Sequence, residues 1–121
     1  MAFLGPESKL AAEASECAGE QGRFWPYHER LFERQSGRNQ GTFSTENLKR
    51  YGAEIGLEAG AFGACVDSGR YTAAIEQETA LGRQKGVTGT PTVFVNGRKA
   101  EDWRSYDALL GLIAAARAGP A

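Results

Sequence analysis

At 121 residues the chain has room for one small domain. With 41% hydrophobic and 24% charged residues, it suits a globular protein with a modest core. A formal net charge of −1 offers no basic excess to attract a phosphate backbone, and no apolar run approaches the roughly 18 residues of a membrane span, so neither nucleic acid nor membrane is an expected partner.

The opening Met1–Pro6 has no basic leader region and meets Glu7 at once. As written, the sequence reads as cytoplasmic, or as extracytoplasmic if it was cut from a longer secreted precursor. Glu7 to about Glu20 reads as a helix with Leu10, Ala14, Cys17 and Ala18 on one face, bracketed at its end by Gly19 and Gly22. A second helix is expected from Trp25-Pro26, because proline suits a first helical turn. Phe24, Tyr27, His28 and Leu31 fall at i, i+3, i+4 and i+7, and Trp25 and Phe32 add a second apolar stripe. That helix is therefore expected to be buried on two sides.

Gln35 to Thr42 is polar and glycine-bearing, a loop. Ser44 is placed to cap a third helix, with Glu46 in its first turn and Leu48, Tyr51 and Ile55 inward; Gly56 should end it. Glu58 to Asp67 is a short fourth helix with Phe62, Cys65 and Val66 inward, broken by Ser68-Gly69. Arg70 to Lys85 is a fifth, with Tyr71, Ala74, Ile75 and Thr79 along one face.

Thr92 to Asn96 is β-branched, aromatic and short, and reads as a strand. Asn96-Gly97 is a two-residue hairpin signal, since both residues tolerate positive φ, and Arg98 to Ala100 is the return strand. Ser105 to Ala118 closes the chain as a helix with Tyr106, Leu109, Leu110 and Ile113 inward, followed by a frayed tail to Ala121. Two strands do not make an independently stable sheet. Helices must cover this one, or another chain must extend it.

Gly86-Val87-Thr88-Gly89-Thr90-Pro91-Thr92 leads straight into Val93-Phe94-Val95-Asn96-Gly97. A cis bond before Pro91 would cost only about 0.5–1 kcal/mol, although most X–Pro bonds are trans. This segment, together with Phe3-Leu4-Gly5-Pro6-Glu7-Ser8, Ala11 to Ala18, Glu20 to Phe32, Phe62 to Ser68 and Leu81-Gly82, resembles the DsbA-type family of thiol–disulfide oxidoreductases.

The resemblance covers nearly the whole chain. It implies an α/β, incomplete thioredoxin-like fold that is helix-rich, with a helical insertion, a C-terminal β-hairpin and a final helix. It places these in a single domain over 1–121, the insertion at about 7–86 and the cis-proline, hairpin and helix part at about 87–118. It also implies that Thr90, Pro91 and Thr92 bind substrate as an added strand. The family's first strand, Cys-x-x-Cys, following helix and second strand precede a Phe-Leu-Gly-Pro-type segment. This chain begins at that segment and contains no Cys-x-x-Cys, so no catalytic residue is assigned.

Cys17 and Cys65 sit on apolar helix faces with no Lys or His placed to lower their pKa. They read as structural, either buried thiols or a disulfide. A bridge would stabilise by about 4 kcal/mol in the chain-entropy model and would imply an oxidising compartment. His28 is the sole histidine and has no second His for a zinc motif, so it reads as a packing residue. The Phe24-Trp25 pair reads as core, and Glu76 and Glu78 as a solvated face. Gly86 to Gly89 lacks the Lys-Ser/Thr of a phosphate loop. No metal and no cofactor are expected.

Three functions are weighed. The first is a DsbA-family oxidoreductase-like domain that is inactive alone in disulfide exchange. The second is a non-catalytic homodimer or peptide-binding module using the open sheet edge. The third is a glutathione-dependent enzyme of related fold, which would need an N-terminal nucleophile after a first strand. Expected partners are a second copy or another chain completing the sheet, an extended peptide, or protein thiols.

Overall fold

Local sequence signals set where the helices begin. In the computed structural model, which describes residues 2–119, α1 (Pro6–Gly19) starts with proline in its first turn. α2 (Phe24–Arg34) starts without a side-chain cap. In α3 (Thr45–Glu54) the Ser44 Oγ accepts a hydrogen bond from the Asn47 amide at 3.3 Å. In α4 (Ala59–Ser68) the Glu58 carboxylate accepts from the amides of Gly60 and Ala61. α5 covers Thr72–Gln84, and α6 covers Tyr106–Arg117 with a Ser105 cap. Strands β1 (Phe94–Val95) and β2 (Arg98–Lys99) pair antiparallel, Phe94 opposite Lys99 and Val95 opposite Arg98. Met1 of the opening segment and Pro120-Ala121 of the expected tail lie outside the described residues.

The chain divides into two compact units, Met1–Gly82 and Arg83–Ala121. The first is helical and holds a core drawn from α1 to α4. Ala14, Ala18, Tyr27, Leu48 and Phe62 are its best-buried members. Tyr27 reaches across to donate to the Leu48 carbonyl at 2.9 Å and meets the Phe62 ring edge-on, 5.4 Å between centroids. Burial pushes the Tyr27 hydroxyl pKa well up. Gly52 permits the close approach of α3 to α4, since a Cβ there would lie 2.5 Å from Phe62 Cε1. The 35–43 loop is tied to α1. The amides of Gly41 and Phe43 donate to the two Glu7 carboxylate oxygens, and Asn39 joins the Glu7 amide to the Leu4 carbonyl.

Several expected faces are corrected. Trp25 is 68% and Phe32 66% exposed, so α2 is buried on one side only, the side of Tyr27 and Leu31. Ala74 is exposed; only Ile75 and Thr79 of α5 are buried. In the second unit Leu109 is half-buried, but Tyr106 is 77% exposed and Leu110 and Ile113 are also exposed. Two strands of two residues offer too little surface to cover a twelve-residue helix. The strands are also shorter than expected. Thr92 and Val93 precede β1, Asn96 lies in the turn, and Ala100 adds one bond, its amide to the Val93 carbonyl at 2.8 Å. Asn96 at φ 45 and Gly97 at φ 80 make the turn, because two positive φ values match the strand twist. The described residues thus form a helix-rich α/β arrangement with one small antiparallel sheet.

Candidate functional site

In the second unit α5 ends at Gln84 and the chain turns at Gly86 toward the hairpin. The Thr90–Pro91 peptide is cis, and both residues are exposed. Thr92 Oγ1 donates to the Gly89 carbonyl at 2.6 Å, closing a short turn around the proline. Thr90, Pro91 and Thr92 thus form a compact projecting bend that feeds β1.

The pairing register fixes which way the strand's backbone points. Val93 bonds to Ala100, and Val95 lies opposite Arg98 beside a two-residue turn. Backbone groups alternate along an antiparallel strand, so those of Thr92 and Phe94 point away from β2. Among the described residues no second strand pairs with that side. Backbone donors and acceptors therefore line that side at every second residue.

Cys17 and Cys65 belong to the helical unit and are bonded to each other, with 5.8 Å between their Cα atoms and 48 residues between them in sequence. Each is 2% exposed. The bond staples α1 to α4, and neither sulfur is a thiol. Exchange needs an accessible thiolate or an accessible disulfide, and this pair offers neither at its surface.

His28 is half-buried in an aromatic row on α2, 4.8 Å from the Phe32 ring and 5.4 Å from that of Trp25. Among the described residues no three His, Cys, Asp or Glu side chains converge as a metal site. Sequence reasoning missed one concavity, an open cleft of about 530 Å³ in the helical unit, floored by Leu4, Ala11, Leu31, Phe32 and Phe43. Its floor joins residues from three separate segments, and no single periodic stretch announces it.

The sequence model of the DSBA-like thioredoxin domain matches residues 1–114, and the chain belongs to that family. The fold is accordingly a partial thioredoxin-like one. The chain is 39% identical over 103 residues to the Na(+)/H(+) antiporter NhaA of Herminiimonas arsenicoxydans, covering 85% of this chain and 16% of that protein. It is 32% identical to the Na(+)/H(+) antiporter NhaA 1 of Salinispora arenicola, over 94% of this chain and 17% of that one. It is 28% identical to Disulfide bond formation protein D of Bacillus subtilis, over 87% of this chain and 49% of that one. The chain therefore spans half or less of the length of these relatives.

Proposed function

We propose that this chain is a substrate-binding portion of a thiol–disulfide oxidoreductase-like domain and does not exchange disulfides by itself. The observation that carries the reading is the Thr90–Pro91–Thr92 bend, exposed at Thr90 and Pro91, leading into a strand whose Thr92 and Phe94 backbone groups face an open edge. An extended peptide pairs along that edge, and Thr90 and Pro91 shape where it enters. Both cysteines are held in a buried disulfide, which supports the absence of exchange chemistry and also a place in an oxidising compartment. Sodium–proton exchange, named for two of the relatives above, is not carried over: the match covers about one-sixth of each, and no described helix is long and apolar enough to cross a membrane.

Insulin-disulfide reduction by the purified chain with dithiothreitol, run beside thioredoxin, tests the reading. The expected rate equals the dithiothreitol blank. A faster rate that disappears in Cys17→Ser or Cys65→Ser would make the buried pair a redox site and overturn it.

A second reading has a specific observation behind it. Tyr106, Leu110 and Ile113 leave an apolar stripe exposed on α6, in the same unit as the open edge. A symmetric homodimer could cover both. Sedimentation equilibrium decides it, a monomer across the accessible concentration range being the result against the dimer.

A further inference from the structure

The sequence has three asparagines, Asn39, Asn47 and Asn96, and they sit in different surroundings. Asn39 is pinned at both ends of its carboxamide: Oδ1 accepts from the Glu7 amide at 3.3 Å, and Nδ2 donates to the Leu4 carbonyl at 3.1 Å. Asn47 lies in the first turn of α3, where its Nδ2 donates to the Gly41 carbonyl at 2.8 Å. Asn96 is exposed at the tip of the hairpin, and among the described residues its carboxamide has no hydrogen-bond partner.

The residue that follows each asparagine differs too. Asn39 precedes Gln40, whose side chain crowds the next amide nitrogen. Asn47 precedes the buried Leu48, whose amide is already committed to the Ser44 carbonyl at 2.9 Å. Asn96 precedes Gly97, which is exposed and has no side chain, and a Cβ built there would meet nothing within 4 Å. The Gly97 amide donates to no acceptor among the described residues. In a two-residue hairpin turn the flanking pair closes the ladder, here Val95 with Arg98, so the amide between the two turn residues stays free.

The geometry points to Asn96-Gly97 as a site of spontaneous covalent modification, deamidation through a succinimide to aspartate and isoaspartate. The Gly97 nitrogen gives up its proton and attacks Asn96 Cγ. A new N–C bond closes the ring, the Cγ–Nδ2 bond breaks, and ammonia leaves with the proton. Water then adds at either ring carbonyl and opens the ring, with no change of oxidation state. Aspartate at this position keeps the turn, because Asp-Gly supports the same backbone as Asn-Gly. Isoaspartate instead routes the chain through the side-chain carbon and adds a methylene to the turn. Turn length fixes hairpin register, so Phe94 with Lys99 and Val95 with Arg98 lose their alignment. The strand that follows the cis Pro91 bend is thereby tied to a turn of finite chemical lifetime. This site stands apart from the edge-binding reading above.

The test is incubation of the full chain at mildly alkaline pH and body temperature, followed by tryptic mass spectrometry. Cleavage after Lys85 and Arg98 releases residues 86–98 as one peptide with Asn96 as its sole asparagine. Exchange of NH2 for OH should appear at Asn96 at a rate within about tenfold of that in the synthetic 86–98 peptide, an opening cost of no more than about 1.4 kcal/mol. Asn39 and Asn47 should react at least about tenfold more slowly than Asn96. A folded chain much slower than that relative to the peptide would overturn the site, and so would Asn39 or Asn47 keeping pace with Asn96. The isoaspartate-bearing fraction should exchange its Ala100 amide hydrogen faster than Asn96→Asp does, since that amide bonds the Val93 carbonyl across the hairpin. Equal exchange in the two would overturn the loss of register.

Discussion

Glu58 caps α4 with both carboxylate oxygens, and the hydrogen bonds from the Ala61 and Gly60 amides hold its pKa below the ordinary glutamate value. A carboxyl with a lowered folded-state pKa stabilises the fold above its unfolded value of about 4.5, and that contribution fades as pH falls through the lower folded value. Glu58→Gln should therefore melt lower than the parent at neutral pH, with the two melting temperatures converging under acid. A gap that stays constant down to low pH would refute the charged cap. Tyr27→Phe removes the bond to the Leu48 carbonyl and should cost about 1 kcal/mol in denaturant unfolding. Gly52→Ala forces a methyl against the Phe62 ring and should cost about 1–3 kcal/mol with little change in m-value.

Helices were more legible than what covers them. The Ser44 cap, the inward Leu48 and Phe62, and the Asn96-Gly97 turn follow from chemistry within a few residues, and sequence carries that directly. Periodicity also marked Trp25 with Phe32, and Tyr106 with Leu110 and Ile113, as apolar stripes. It says that a face is apolar, not that anything lies against it, and these faces are exposed. The candidate site divides the same way. Thr90, Pro91 and Thr92 adjoin in the chain, so their bend could be read as one motif. The bond between Cys17 and Cys65 joins two helices 48 residues apart, and residue type alone left thiols and disulfide both open. The bond between α1 and α4 makes its own prediction. Reduction, or Cys17→Ser, should cost about 4 kcal/mol by the loop-closure argument, measured as a drop in the urea midpoint.

Stability should be unequal across the molecule. The helical unit packs Tyr27, Leu48 and Phe62 almost free of solvent, whereas α6 has no buried residue. Native-state hydrogen exchange should find the slowest amides in α1 to α4 and markedly faster exchange in β1, β2 and α6. Uniform protection along the chain would mean that something covers the hairpin unit in solution, as the homodimer reading requires. The edge-binding proposal expects that exchange at β1 slows when an extended peptide is added.

The bond stapling α1 to α4 sets how this sequence handles oxidation while it folds. Two cysteines admit one intramolecular pairing, where four would admit three. Scrambled monomers are therefore closed to it, and a wrong bond has to join two molecules. Mispaired product should rise with protein concentration during oxidative refolding, and dilution, without any isomerase, should be enough to recover the native form.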